Sequence, residues 1–220
     1  MKSYDNAVCF CDNHVLVANK PAGLLTQPDA THAHSLEKEL KAWVKQTYEK
    51  EGAVFLHAVH RLDRPVGGLI LFARTSKALS RLNEQARRQE IERIYVAEVE
   101  GVLVHKMGRL DHYLIHEEHR AVVAKNPEQE GAKHARLNYE ALHYMPHATI
   151  VRIQLETGRY HQIRVQFAAT GHPIVGDTKY GSKVTLSDGI IRLHCANLSF
   201  VHPVTKETLA FESVPSFDSL

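Results

Sequence analysis

The chain is poor in cysteine. Cys9, Cys11 and Cys195 are too few, and odd in number, for a disulfide framework, which favours a reducing compartment. Cys9 and Cys11 are spaced C-x-C, not C-x-x-C, so metal or redox use is disfavoured against two strand-borne thiols on one side of a strand. Long apolar runs are also lacking. GGLILFA (67–73) is the longest, far short of the roughly 18 to 20 residues of a membrane-spanning helix. The N-terminal MKSYDNAVCFCDNH has neither the apolar stretch nor the small-residue cleavage pattern of a signal or transit peptide. A soluble, cytoplasmic protein is expected. Charge of one sign is not in excess either: 27 Lys and Arg face 25 Asp and Glu, a net charge of +2. A polyanionic partner is permitted without being required, and any basic surface must come from local clustering. There is no G-x-x-x-x-G-K-S/T, no G-x-G-x-x-G and no G-x-S-x-G, so nucleotide cofactors and serine-based acyl transfer lack support.

What is present is enough for a sizeable core, since 44% of the 220 residues are hydrophobic. No repeat, low-complexity segment or linker divides the chain, so a single domain over 1–220 is expected. Residues 7–18 read as a strand pair around Asp12-Asn13, followed by the turn-rich NKPAGLLTQP (19–28). In HSLEKELKAWVKQTYEK, Leu36, Leu40, Trp43, Val44 and Tyr48 recur at helical spacing, which assigns Trp43 to the core. AVFLHAV (53–59) and LILFA (69–73) read as strands. Ser76 is placed to cap a helix running to about residue 90, with Ala78, Leu79, Leu82 and Ala86 as its apolar stripe. From 91 to 156 the pattern is β-rich: IERIYVAEVEGVL, AVVAK, and a hairpin of ARLNYEALHY with ATIVRIQLET whose turn holds Pro146. YHQIRVQFAAT (160–170) reads as a helix stopped by Gly171, and RLHCANLSFVHP returns to strand. Strands predominate with a few helices interspersed, an α+β pattern without the strict alternation of a doubly wound fold.

Sixteen histidines suggest metal, yet the best cluster, His112, His116 and His119 in HYLIHEEH, lies in strand and turn sequence and lacks the HExxH spacing of a helical zinc protease. No metal is expected. The stretch with the most unusual chemistry is VHRLDRPVGGLILFA (59–73), where Asp63 sits between Arg61 and Arg64 just before an apolar run. A carboxylate that stays ionised away from water needs a cation nearby. On an extended chain Arg61 shares a side with Asp63 and Arg64 does not, while Arg164 in TGRYHQIR is carried on a helix that can aim it from a distance. On these residues alone, a structural Asp–Arg pair and a catalytic carboxylate are both open.

Taken in order, NKPAGLL, VHRLDRPVGGLILFA, IERIYVAEVEG, LETGRYHQIRVQFAATGHPIVGDTKYG and RLHCANLSFVHP resemble the RluA-like family of RNA pseudouridine synthases, from about residue 8 to about 213. The resemblance implies a bent, largely antiparallel sheet with flanking helices and a central active-site cleft. It implies Asp63 as the catalytic residue, Tyr95 against the target base as acceptor of the C5 proton, and Arg164 as partner of the catalytic carboxylate. Arg61 would help displace the target nucleotide, and His60, Arg159, His161 and Gln162 would contact substrate. The partner implied is RNA, tRNA or large-subunit rRNA, with no cofactor, no metal and no membrane; a monomer is the default. Because NKPAG begins at residue 19, no room is expected for the S4-type RNA-binding domain common in the family. The basic helix face over 77–93, with Lys77, Arg81, Arg87 and Arg88 and with Arg93 just beyond, then reads as a phosphate-contacting surface.

Two positions depart from the family pattern. Pro65-Val66-Gly67-Gly68 stands where a T-S-G commonly follows, and Tyr160 stands where Thr or Ser follows TGR; both bear on substrate preference. Two other classes compete: a non-catalytic RNA-binding or chaperone protein, and a glycosidase-like hydrolase using Asp63 with Asp177 as paired carboxylates.

Overall fold

The computed structural model describes residues 4–28, 34–215 and 217. The chain is α+β and divides into two compact units, Met1–Glu92 with Cys195–Pro215, and Arg93–His194 with Ser216–Leu220. Among the described residues no helix is long and apolar enough to cross a membrane.

The first unit is built around β2 (Val15–Lys20) and β4 (Gly67–Ala73), antiparallel with Val15 opposite Ala73 and Lys20 opposite Gly68. All seven residues of β4 are buried, which explains why GGLILFA reads as an unbroken apolar run: a strand covered on both faces has no polar alternation. β1 (Val8–Cys11) pairs with β2, and β3 pairs with β4. Only His57–Ala58 forms β3; the strand expected over 53–59 is otherwise absent. Leu56 is fully buried there, so the apolar signal reports side-chain burial without a hydrogen-bond ladder.

Helix α1 (Leu36–Thr47) is capped by Ser35, whose hydroxyl accepts from Lys38 N–H. Its stripe buries Leu36, Leu40 and Val44, but Trp43 is half-buried and packs edge-on to Tyr48, so it borders the core and does not fill it. Helix α2 (Ser76–Arg87) is capped by Thr75, one residue earlier than expected, because the Thr75 hydroxyl accepts from Ala78 N–H at 3.1 Å. On its basic face Arg81 donates to Pro203 O at 2.8 Å and Arg88 pairs with Glu84 at 2.6 Å.

The sheet of this unit ends with β10 (Leu193–Val201), most of which belongs here, and β11 (Thr208–Glu212), paired antiparallel from Asn197/Glu212 to Val201/Thr208. Gly68 has φ +112°, and a Cβ there would stand 2.4 Å from the backbone nitrogen and oxygen of Cys195. Both the left-handed backbone and the strand approach therefore demand glycine. Gly68→Ala is expected to destabilise the fold by about 3 kcal/mol or more, read by urea denaturation.

The second unit is an antiparallel sheet in the order β5 (Glu92–Glu100), β9 (Ala148–Leu155), β8 (Lys133–Tyr144), β6 (Met107–His116) and β7 (Ala121–Val123). Helix α3 (Gln162–Ala169) lies on it: Val165 joins a cluster with Leu114, Ala121 and Ala135, and the fully buried Gln166 amide donates to Leu110 O and Ala135 O. The helix ends as its sequence predicts. Gly171 takes φ +83°, with Gly171 N–H donating to Ala168 O and His172 N–H to Phe167 O, the two bonds of a Schellman cap.

Candidate active site

The residues singled out by the sequence are carried by both units. His60, Arg61 and Asp63 belong to the first; Tyr95, Arg159, His161, Gln162 and Arg164 belong to the second.

In the first unit the loop after β3 is tied down at almost every residue. Val59 N–H donates to Leu71 O, and the His60 ring accepts Leu71 N–H on Nε2 at 3.2 Å. That nitrogen is therefore unprotonated, and the imidazole straps the loop to β4. Leu62 and the buried Thr26 are linked twice, hydroxyl to Leu62 O at 2.8 Å and Leu62 N–H to hydroxyl at 3.2 Å. Arg64 donates through Nε to Gly23 O at 3.0 Å and receives Gly23 N–H on its carbonyl at 2.8 Å. Arg64 thus clamps the loop to the NKPAG turn. Val66 N–H closes a turn onto Asp63 O at 3.0 Å. Within this frame the Asp63 side chain is half-buried, flanked by the exposed Arg61 and Arg64.

Under the loop lies a residue that the sequence does not advertise. Lys20, at the end of β2, is 1% exposed. Its ammonium donates to Pro21 O, Leu24 O and Arg64 O at 3.0, 2.6 and 3.3 Å, three acceptors for three N–H groups. Burial pushes it down to about 7, and the Asp63 carboxylate pulls it back upward. A lysine held below its ordinary value lets the unfolded chain bind the extra proton between about 7 and the usual 10.5. Stability should therefore rise with pH through that window, by at most about 1.4 kcal/mol per pH unit. Lys20→Met should flatten this dependence, as measured by denaturation at stepped pH.

In the second unit Tyr95 sits on β5 opposite Ile153 of β9 and is 5% exposed, on the inward side with Ala97 and Val99. The TGRYHQIR segment forms a tight turn leading into α3. Gln162 holds it together: its Oε1 accepts from the Thr157 hydroxyl (2.8 Å) and Arg159 N–H (3.0 Å), and its Nε2 donates to Arg136 O (3.0 Å). Arg159 donates through Nε to His134 O at 2.9 Å. Of the residues expected to contact substrate, Gln162 and His60 thus have structural duties in the turn and the loop. His161 takes the left-handed conformation, φ +52°, directly before the helix, and its Nδ1 lies 2.8 Å from the Tyr180 hydroxyl. Tyr160 stacks on His161 with centroids 3.8 Å apart, and His116 lies against Tyr160 at 4.2 Å. Two members of HYLIHEEH are therefore placed: His116 packs on an aromatic ring, and His112 Nδ1 lies 3.1 Å from the Gln166 amide.

Arg164, 4% exposed, grips Asp177, 1% exposed, in a bidentate pair: Nε to Oδ2 at 2.7 Å and Nη2 to Oδ1 at 2.8 Å. The guanidinium also lies over the Tyr180 ring, 5.1 Å from its centroid. Asp177 is positioned by the turn GDTKYG, where Tyr180 N–H and Ser182 N–H bond back to Asp177 O. Both carboxylate oxygens are engaged by Arg164, so Asp177 is built to hold a guanidinium. That arrangement does not suit the paired-carboxylate hydrolase.

The RNA pseudouridylate synthase family matches residues 14–169. The dual-specificity RNA pseudouridine synthase RluA of Haemophilus ducreyi is 34% identical over 94% of this chain and 92% of its own length. The ribosomal large subunit pseudouridine synthase C of Vibrio vulnificus is 32% identical over 92% of this chain, which spans 63% of that protein. Human RNA pseudouridylate synthase domain containing 4 superposes with a TM-score of 0.80 at 22% identity, covering 97% of this chain and 90% of the other, a likeness of fold. With the family matched over residues 14–169 and a relative 34% identical along nearly its whole length, the chain belongs to the RNA pseudouridylate synthase family.

Proposed function

We propose that this chain isomerises a uridine of structured RNA to pseudouridine, with Asp63 as the catalytic carboxylate and stretch 1–220 serving as one catalytic domain. One relative is named for the large ribosomal subunit and another for dual specificity; together with the family resemblance this favours tRNA or large-subunit rRNA as the RNA here. The observation that carries the reading is the bracing of the Asp63 loop. Its neighbours on either side are bonded to β4, Thr26 and Gly23, and a buried lysine lies beneath it, while Asp63 itself is half-buried. A loop fixed this firmly around one carboxylate is preorganised for chemistry.

The reaction breaks N1–C1′, turns the base and joins C5 to C1′; the proton leaves C5 and one returns to N1, with no electrons exchanged. Asp63 has two routes, attack on C1′ or removal of the C2′ proton. A 2′-deuterated uridine substrate separates them: a primary isotope effect marks the second route, and its absence marks the first. In either, Tyr95 takes the C5 proton, Arg164 supports the site and Arg61 helps displace the nucleotide. Extruding the base costs a few kcal/mol, least in loops and bulges, which favours an exposed uridine. On the basic face of α2, Arg81 is tied to the Pro203 carbonyl and Arg88 to Glu84, while Lys77 and Arg87 have neither an ion pair nor a side-chain hydrogen bond among the described residues, and they would meet phosphates.

The test is pseudouridine mapping of total RNA from cells with and without this protein. At least one uridine should depend on it; if none does, the reading fails.

A further inference from the structure

Arg93 is the second residue of β5, two residues before Tyr95 and on the same side of the strand by alternation. Other arginines of this unit are matched with carboxylates: Arg136 and Arg109 with Glu156, Arg152 with Glu140, Arg164 with Asp177. The Arg93 side chain has no ion pair or hydrogen bond among the described residues. It is half-buried, and its Nε is enclosed with no acceptor. Enclosing part of a guanidinium without a partner is unfavourable, and the cost disappears when an anion supplies the acceptors.

A second observation points the same way. The guanidinium lies over Gly158 in the TGRY turn: a Cβ there would stand 3.2 Å from Nη2, 3.9 Å from Nη1 and 4.0 Å from Cζ. The backbone at Gly158 is not in the left-handed region, so its conformation does not demand glycine. What a side chain at this position would disturb is the seat of the Arg93 guanidinium.

We infer that Arg93 binds one backbone phosphate of the RNA, its planar fork seated on Gly158 and held beside the strand that carries Tyr95. A guanidinium suits this task because its parallel N–H groups meet two phosphate oxygens at once. The inference rests on the proposed RNA substrate.

The test is binding of a short single-stranded oligoribonucleotide to the full chain over a range of salt, followed by fluorescence anisotropy. Each phosphate contact on a single strand contributes about 0.7 to the slope of log affinity against log salt. Arg93→Gln should reduce the slope by about that amount, Arg93→Lys should keep the slope while weakening binding, and Gly158→Ala should weaken binding by displacing the guanidinium. Oligonucleotides carrying one neutral methylphosphonate at successive positions then give the decisive comparison. One position should weaken binding to wild type and leave Arg93→Gln unaffected. An unchanged slope in folded Arg93→Gln, or methylphosphonate effects of equal size in both proteins at every position, overturns the inference alone. If Arg93→Gln does not fold, Arg93→Lys and Gly158→Ala decide: wild-type affinity in both overturns it. Wild-type protein that binds no RNA removes the proposed function as well.

Discussion

Asp63→Asn is expected to abolish pseudouridine formation, lowering turnover by at least about a thousandfold, while the protein remains folded. The loss corresponds to about 4 kcal/mol of barrier. Asparagine keeps the size and shape of aspartate, and the turn here is closed through the main chain, Val66 N–H onto the residue 63 carbonyl. The ties at His60, Leu62 and Arg64 also do not depend on the carboxylate. What disappears is the negative charge, needed both for attack on C1′ and for removal of the C2′ proton. It also acts on Lys20: without the carboxylate, burial acts unopposed by Asp63, and the ammonium should lose its proton more easily still. The measurement is single-turnover conversion of the mapped RNA, beside thermal melting and RNA affinity. A folded variant that binds RNA and still makes pseudouridine would remove Asp63 from the chemistry. Folding and binding intact with no turnover also argue against the RNA chaperone alternative, for which Asp63 would have no catalytic consequence.

Much of the fold was legible because burial leaves a period in the residues. β5 alternates buried and half-buried positions from Tyr95 to Glu100, β4 is uniformly apolar because it is covered on both faces, and α3 stops where Gly171 turns left-handed. The errors arose where side-chain character and backbone pairing part company. AVFLHAV is apolar enough for a strand, but only His57 and Ala58 find a ladder. β11, with the polar flanks of TKETLAFE, exists through its pairing with β10, a long-range fact with no local signature. Trp43 obeys the helical stripe yet lies at its margin against Tyr48.

The motif residues of the candidate site stand out in the sequence as expectations, and what supports them does not. Lys20 ends a strand, where a lysine ordinarily reaches solvent; its burial depends on residues 61–64, far along the chain, folding over it with the Arg64 carbonyl as acceptor. The resemblance implies Gln162 as a substrate contact; what local patterning does not show is that its amide also closes the turn leading into α3. Arg64, unexplained by its sequence position, acquires its purpose from Gly23. Each case needs a partner that local patterning cannot name.

Asp177 is the clearest of these, and substituting it should have a large effect on stability. Asp177→Ala removes the bidentate partner of a guanidinium that is 4% exposed, and breaking a buried pair from one side costs about 3–5 kcal/mol. Arg164→Ala should cost a similar amount, since it strands a carboxylate that is 1% exposed. Because each single change leaves a buried charge behind, the two should not add: Arg164→Met with Asp177→Leu should be less destabilised than the sum, a coupling read from a double-mutant cycle in urea. The activity of the same variants separates two roles for the pair. If Arg164 only stiffens the turn between α3 and the GDTKYG segment, the double variant regains turnover as it regains stability. If the guanidinium itself is required at the reacting uridine, the double variant is stable and inactive. That second outcome is expected on the proposed function, in which the family resemblance implies a role in the chemistry for Arg164 and none for Asp177; Asp177 then acts through Arg164 as a positioning residue. Full turnover in a stable double variant would reduce Arg164 to a structural element.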